Sequence, residues 1–304
     1  MTEAQKGHLA MLVFSGLVAG SFSLGARAAP FIDPGAMSAV RFALAGAIVG
    51  AAAWASGGMT RTAFASPWRY GVLGGLLAIY FVAMFEGLKT APPISASAVF
   101  TLTPIVAARF GWLVLRQGVT RRMVLALTLG AVGALWVIFR GDLAAARTLA
   151  VGRGEAIYFG GCVAHALYAP MVRRLNRGEP AVVFTFGMMV AGFCLLTFYA
   201  LPALRATDWA ALPAIVWVTL VYVAIAASAA TFVLMQYAIL RLPSAKVMAY
   251  TYLTPTWVIL WEIARGAEAP PLAILAGVAL TGAALWLLLH EGPEHAPLAR
   301  HSAR

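Results

Sequence analysis

The chain has 304 residues, of which 62% are hydrophobic and only 11% are charged. Soluble domains contain about 45–50% apolar and about 25% charged residues, so water is excluded as the main solvent and a lipid bilayer is expected. The net charge of +11 would suggest nucleic-acid binding in a soluble protein, but the basic residues here lie in short turns between apolar segments, and no nucleic-acid partner is expected.

Ten apolar segments of about 20 residues follow one another along the chain, and each is long enough to cross a hydrocarbon core of roughly 30 Å. They are continuously apolar, whereas the strands of a membrane barrel alternate apolar and polar positions. We therefore predict an all-α integral membrane protein with transmembrane helices at 8–26, 34–57, 67–88, 93–116, 121–139, 152–172, 179–201, 211–239, 243–264 and 269–290.

The basic residues predict the orientation of these helices. If both termini are cytoplasmic, thirteen basic residues lie near cytoplasmic helix ends: Lys6, Arg61, Arg69, Arg116, Arg121, Arg122, Arg173, Arg174, Arg177, Arg241, Lys246, Arg300 and Arg304. Seven lie near the other ends: Arg27, Lys89, Arg140, Arg147, Arg153, Arg205 and Arg265. This asymmetry follows the positive-inside rule and predicts a multi-pass protein of the bacterial cytoplasmic (inner) membrane with both termini cytoplasmic.

The first apolar segment has a second interpretation. Lys6, an apolar run and then Ala26-Arg27-Ala28 could form a signal peptide with a small-residue cleavage site. Cleavage would leave nine helices and would disrupt the internal repeat, so a retained helix is favoured.

The two halves of the chain carry a common pattern. A shift of 151 residues superposes Leu102-Thr103-Pro104 on Leu253-Thr254-Pro255, Met84 on Met235, Pro92 on Pro243 and Ala98 on Ala249. Such matches indicate duplication, with one five-helix repeat at 1–146 and a second at 147–304, which includes a short cytoplasmic tail. Because five is an odd number, the second repeat must cross the membrane in the opposite direction, which gives inverted repeats.

With these features the chain resembles the drug/metabolite transporter superfamily in its ten-helix form with two EamA-type repeats, over about residues 8–290. The resemblance rests on the repeat length, on the two Leu-Thr-Pro triplets and on Glu268, thirteen positions after Pro255. Gln117 replaces that acid in the first half. Within the superfamily the chain is most similar to the YddG-type exporters of aromatic amino acids, which implies export by alternating access through a cavity between the repeats.

Candidate cavity residues fall on several helices. Pro104 and Pro255 would kink or gate the fourth and ninth helices, because proline frees a backbone carbonyl. Positions 246, 250 and 257 share one face of a regular helix, and the resemblance implies that the third and eighth helices also line the cavity. The predicted substrate-binding residues are Tyr80, Met84, Ser97, Phe100, Thr101, His165, Tyr168, Gln236, Lys246, Tyr250 and Trp257.

These residue types suit an aromatic amino acid. Rings and methionines would stack on a flat side chain, while hydroxyls, Gln236 and Lys246 would hold its polar ends. Simpler interpretations stay open. The prolines could only bend their helices, the aromatic face could lie at the headgroups, and His165 could be a packed, hydrogen-bonded residue.

Charges inside the bilayer cost about 2.5–3.5 kcal/mol each on insertion scales, so each needs a reason. We expect Arg41 and Arg109, about two turns into their helices, to snorkel to the surface. Two i, i+3 pairs near helix ends are expected to form ion pairs: Glu86 with Lys89, and Glu262 with Arg265.

No acid lies between His8 and Gly25 of the first helix, where related small multidrug pumps carry the carboxylate that exchanges protons for cations. Uniporter-like export is therefore predicted, and a monomer is consistent with the sequence. The alternatives are a proton-coupled drug exchanger, a nucleotide-sugar-type exchanger, an intramembrane enzyme or a membrane scaffold. No catalytic, metal-binding or cofactor motif is visible, so neither a cofactor nor a metal is expected. Cys162 and Cys194 are expected to be buried, unpaired thiols.

Overall fold

The computed structural model describes residues 2–118, 120–142, 144 and 151–289. Within these residues the chain forms ten long helices, a short surface helix at Leu201–Ala206 and no strands. The first half supplies α1 (Glu3–Ala28), α2 (Pro34–Ala55), α3 (Trp68–Gly87), α4 (Pro93–Leu115) and α5 (Arg121–Ile138). The second half supplies α6 (Arg153–Leu175), α7 (Ala181–Tyr199), α8 (Ala214–Ile239), α9 (244–264) and α10 (Leu272–Leu289).

These helices confirm the predicted all-α membrane fold. In the described part of the chain eight of them are long and apolar enough to cross a membrane. The other two, α6 and α9, contain more polar residues, such as Arg153 and Lys246. Predicted and observed helix ends agree to within about five residues. The predicted repeat boundary at 146/147, the tail after residue 289, and with them Arg147, Arg300 and Arg304 lie outside the described residues.

Local sequence sets where the helices begin. At the start of α1, Thr2 accepts a hydrogen bond from the Gln5 amide, and the Gln5 side chain accepts one from the Thr2 amide, which forms a capping box. Asp33 caps α2 by accepting from the amides of Gly35 and Ala36. These caps satisfy amides that would otherwise lack partners at the first turn of each helix.

The two halves pack with the exchange symmetry of inverted repeats. The helices α2, α4 and α5 each contact their own counterparts α7, α9 and α10, and α1 contacts α8 as α6 contacts α3. The counterparts run antiparallel, because the first part of α4 packs on the last part of α9 and the reverse. Trp136 Nε1 at the end of α5 donates to the Ala273 carbonyl at the start of α10, at 2.7 Å. A Cβ on Gly133 would lie only 2.6 Å from the Gly277 carbonyl, so this crossing requires glycine.

Three helices are irregular along their length. α4 breaks at residues 101–102, just before Pro104, and α9 tightens into a 3₁₀ turn at Tyr250–Leu253, just before Pro255. Proline fits the first turn of each restarted helix, because the amide that it lacks would have no partner there. α8 widens into a π-helix at Ile225–Ala230. Such segments are rare and often occur at functional sites.

Both cysteines are free, but their environments differ. Cys162 is buried in the bundle and Cys194 is exposed on α7. The expectation of two buried thiols is therefore right for Cys162 and wrong for Cys194. An apolar helix can turn one face to lipid and one to protein, and hydropathy alone does not tell the two faces apart.

Candidate functional site

A small cavity lies inside the bundle where α1, α2, α3, α6 and α8 meet. Its volume is about 10 Å³, which is room for about one water molecule, so the centre of the protein is nearly closed in this conformation. Its wall combines aromatic and aliphatic side chains with a few polar groups: Phe14, Val18, Ser21, Arg41, Tyr80, Phe81, Met84, His165, Ala227, Thr231 and Phe232. Mixed walls of this kind are typical of small-molecule sites.

Equivalent positions of the two repeats meet at this cavity. Three pairs of lining residues are separated by 151 positions: Tyr80 with Thr231, Phe81 with Phe232, and Phe14 with His165. The cavity therefore lies at the axis that relates the repeats. In proteins built from inverted repeats, substrate sites lie at this interface.

Aromatic rings form a continuous cluster beside the cavity. The His165 ring stacks on Tyr80 with ring centroids 4.4 Å apart, and the Phe100 centroid lies 5.3 Å from that of His165. The hydroxyls of Tyr80 and Tyr158 are 3.0 Å apart, and Phe22 closes the cluster, 5.9 Å from Phe100. Three of the predicted site residues, Tyr80, Phe100 and His165, are thus brought together.

A second group of predicted residues adjoins this cluster. The Tyr168 ring is nearly parallel to that of His165, at 6.3 Å. Gln236 Nε2 donates to the Tyr168 hydroxyl at 3.0 Å, and that hydroxyl donates to Met188 Sδ at 3.0 Å. Gln236 Oε1 is buried without a partner. These contacts link α6, α7 and α8 next to the cavity.

Arg41 supplies the positive charge of the cavity wall. The residue is 1% exposed, and its guanidinium carbon lies 3.7 Å from the centroid of the Phe81 ring. Its Nε donates to Ser228 Oγ and its Nη2 to the Ala227 carbonyl, both at 2.5 Å. Both acceptors belong to the π-helical segment of α8. Nη1 has no hydrogen-bond partner.

Four polar atoms of the cavity wall lack partners: Arg41 Nη1, Ser21 Oγ, His165 Nδ1 and Thr231 Oγ1. Their residues are at most 2% exposed. A buried polar atom left unbonded costs about 1–3 kcal/mol, so most such atoms in proteins are bonded. Other buried polar atoms among the described residues also lack partners, but these four share one cavity, where a polar ligand or water can bond them.

The other predicted residues do not all reach this wall. Met84 does, but the hydroxyls of Ser97 and Thr101 donate to carbonyls of their own helix. Lys246 lies in the first segment of α9, Ser244–Ala249.

Tyr250 and Trp257 face α1 rather than the cavity. The Tyr250 hydroxyl is 3.0 Å from His8 Nδ1, and Trp257 Nε1 donates to Ser15 Oγ at 3.2 Å. The common face predicted for positions 246, 250 and 257 assumes a regular α-helix. The 3₁₀ turn at Tyr250–Leu253 has about 3.0 rather than 3.6 residues per turn, so residues after it are rotated relative to that face.

Arg41 is the main site residue absent from the sequence-based prediction. The expectation that it snorkels to the surface is wrong, because its guanidinium is buried against α3 and α8. α2 is apolar on most sides, so the sequence does not show which face packs inward. The repeat offers a signal, since Gly192 occupies the equivalent position and the charge therefore has no counterpart. Arg109, by contrast, is exposed and lies 5.6 Å from the Trp112 ring.

The contacts of the acidic residues in the described part of the chain lie outside the cavity wall. Both predicted i, i+3 ion pairs form, at 2.7 Å for Glu86 with Lys89 and at 3.8 Å for Glu262 with Arg265. Glu155, buried at the start of α6, accepts a hydrogen bond from a serine hydroxyl of α4 at 2.8 Å. None of the residues that line the cavity is acidic.

Comparison with known proteins agrees with this architecture. A family model described as the EamA-like transporter family matches residues 5–139 and again residues 152–290. The chain is 24% identical over 262 residues to the "Uncharacterized transporter YyaM" of Bacillus subtilis (strain 168), with 85% of this chain and 86% of that protein covered. It is also similar to a protein crystal structure with a TM-score of 0.71 and 22% identity, covering 94% of this chain and 95% of the other. That likeness shows the fold alone.

Proposed function

Because this chain belongs to the EamA-like transporter family, we propose that it exports small amphipathic metabolites, in particular aromatic amino acids, across the bacterial inner membrane. The route is the cavity between the two repeats. The positive-inside pattern supports an orientation with both termini cytoplasmic.

One observation carries the proposal. The wall of the cavity at the repeat axis combines aromatic rings with four unpartnered polar atoms. A flat apolar side chain would stack against Tyr80, His165 and Phe81, and its polar end would satisfy the unpartnered atoms. The wall offers one permanent cation, Arg41, whereas a dianionic nucleotide sugar would favour several.

Transport requires the closed centre to open. A cavity of about 10 Å³ admits no amino acid, so helices must move apart on one side at a time. The break in α4, the 3₁₀ turn in α9 and the π-segment in α8 are the irregular segments available to absorb such bending. Pro104 and Pro255, directly after two of them, are the proposed gating positions.

Energy coupling follows from the charges of the site. Proton antiport commonly uses a carboxylate that binds proton and substrate in turn, and none of the cavity-lining residues carries one. We therefore propose facilitated export down the gradient of the solute.

The test is counterflow in proteoliposomes without a pH gradient. Vesicles loaded with unlabelled L-phenylalanine should accumulate labelled L-phenylalanine, and unlabelled tryptophan and tyrosine should compete better than alanine. Phe100→Ala should reduce the rate at least about tenfold, because the loss of a buried ring removes stacking and opens a void. Phe198→Ala, on a side chain that is 86% exposed, is the matched control and should not change it.

Two results would contradict the proposal. One is the absence of counterflow for all three aromatic amino acids by protein that is folded by circular dichroism. The other is transport that appears only when a proton gradient is imposed, which would refute the facilitated mechanism.

A further inference from the structure

We propose that Arg41 is the carboxylate-binding residue of the cavity, and that the solute is recognised by one carboxylate next to an apolar or aromatic body, with no requirement for an amine. This inference rests on the proposed function, since it assumes that the solute enters the cavity. It narrows the substrate class from amphipathic metabolites to monocarboxylates, among which aromatic amino acids are one group.

The charge of Arg41 is not balanced by an acidic residue of the cavity wall. An arginine keeps its proton at any physiological pH, so Arg41 places a full positive charge inside the bundle. The ion pairs among the described residues involve other cations, namely Lys6, Arg69, Lys89, Arg241 and Arg265. Buried charges are normally paired, and none of the residues lining the cavity is acidic. A negatively charged ligand is the missing complement.

The guanidinium of Arg41 is held in a fixed orientation by its neighbours. Ser228 and the Ala227 carbonyl hold Nε and Nη2, and the Phe81 ring supports the guanidinium plane. Nη1 is the nitrogen that remains, on a residue that lines the cavity. A guanidinium already fixed in this way loses little conformational freedom on binding, and its N–H groups make short, strong hydrogen bonds to carboxylates.

The cavity wall offers no negatively charged partner for the ammonium group of an amino acid. The remaining unpartnered atoms of the wall, on Ser21, Thr231 and His165, are two hydroxyl oxygens and one ring nitrogen. They can hydrogen-bond a polar group but supply no negative charge. An ammonium group close to Arg41 would be repelled by like charge, so an amine on the solute is not expected to strengthen binding.

The contact between Arg41 and Ser228 has no counterpart elsewhere in the repeat pattern. Gly192 occupies the position equivalent to Arg41, and Leu77 the position equivalent to Ser228. Packing at the symmetry-related contact between the repeats is therefore achieved without the charge and without its acceptor. Arg41, in the first repeat, and Ser228, in the second, are an addition to the shared fold.

The experiment is competition binding to the full-length protein in nanodiscs, with labelled L-phenylalanine as the reporter. The competitors are 3-phenylpropionate, which lacks the amine, and L-phenylalaninamide and phenethylamine, which lack the carboxylate. We expect 3-phenylpropionate to compete within about tenfold of L-phenylalanine, and the other two to be at least about tenfold weaker. This arm needs no variant, so it does not depend on how a substitution folds.

Arginine variants form the second arm. Arg41→Met should weaken binding of L-phenylalanine and 3-phenylpropionate at least about tenfold, while Arg41→Lys retains part of the affinity. Arg109→Met, an exposed arginine on α4, is the control and should bind as the wild type does. If phenethylamine competes as well as 3-phenylpropionate, or Arg41→Met binds as tightly as wild type, the inference fails while aromatic transport stands. If the wild type neither binds nor transports L-phenylalanine, the proposed function itself fails.

Discussion

Two arginines of this protein, Arg69 and Arg41, are equally inaccessible to solvent, but they differ in their hydrogen-bond and ion-pair partners. Arg69, at the start of α3, is 1% exposed, as Arg41 is. Its Nη1 donates to the Leu175 carbonyl at 2.7 Å, and its Nη2 donates to Glu179 Oε1 at 2.7 Å and to the Ala63 carbonyl at 3.1 Å. The charge of Arg69 is cancelled and its nitrogens are bonded, whereas Arg41 has no acid and one unbonded nitrogen.

On the proposal above, the difference separates a structural arginine from one that binds the solute. The Arg69 network ties the start of α3, in the first repeat, to the turn between α6 and α7 in the second. It is complete, so it stabilises the fold without anything added. The Arg41 site lacks one hydrogen-bond acceptor and one negative charge, which we propose the solute supplies.

The largest expected effect comes from breaking the complete network. Glu179→Ala leaves the buried Arg69 charge without its counter-ion, and removing one partner of a buried pair costs about 3–5 kcal/mol. Denaturant unfolding in detergent measures this loss. Glu86→Ala, which breaks an exposed pair of the same 2.7 Å length, should cost at most about 1 kcal/mol. Equal losses in the two variants would contradict a structural role for the Arg69 network.

The next effect is a pH dependence of stability that comes from Glu179. Burial opposes ionisation of this carboxyl, but hydrogen bonds from Arg69 and from the Arg177 amide outweigh it and hold its pKa below the usual range. Because the folded pKa is the lower one, the stabilisation is fully present above the unfolded glutamate pKa of about 4.3 and is lost as the pH falls from there through the lowered folded pKa. Thermal unfolding between pH 3 and 7 should therefore show a steeper acid loss for wild type than for Glu179→Gln. Parallel curves would be evidence against this carboxylate as the source.

These two sites also show how far the sequence could predict the molecule. Continuous apolar runs specified the helices, and the family resemblance together with helix faces and mid-helix positions led to the prediction of Tyr80, Phe100 and His165 as cavity residues. Arg41 was missed because its role depends on a contact 186 positions away, with a π-segment that has no signature in the sequence. Trp257 was placed on the cavity because a regular helix was assumed through the 3₁₀ turn of α9. Long-range packing determines the surroundings of Arg41, and local helix irregularity determines those of Trp257. Hydropathy predicts neither.

A smaller effect is expected from loosening the Arg41 orientation. Ser228→Ala removes the acceptor of Nε but leaves the charge, so carboxylate affinity should fall about three- to tenfold while stability changes by less than about 1 kcal/mol. Competition binding with 3-phenylpropionate measures the first quantity and thermal unfolding the second. Ser56→Ala, whose hydroxyl bonds only its own helix at the Ala53 carbonyl, is the control and should alter neither. An unchanged affinity in Ser228→Ala would argue that Ser228 does not position the guanidinium.

The smallest expected effect is the change in stability of Arg41→Met, and it tests most directly whether Arg41 and Arg69 have different roles. Arg41→Met leaves the Ala227 carbonyl and the Ser228 hydroxyl without their donor. It also removes a buried charge that has no counter-ion, and the relieved desolvation cost offsets the lost hydrogen bonds, so the free energy of unfolding should change by less than about 1 kcal/mol. Arg69→Met, the matched change at equal burial, leaves Glu179 and two carbonyls unpaired and should cost about 3–5 kcal/mol. Both values come from denaturant unfolding in the absence of solute. If Arg41→Met is as unstable as Arg69→Met, Arg41 supports the fold in the way that Arg69 does, and its unbonded nitrogen is not evidence of a ligand.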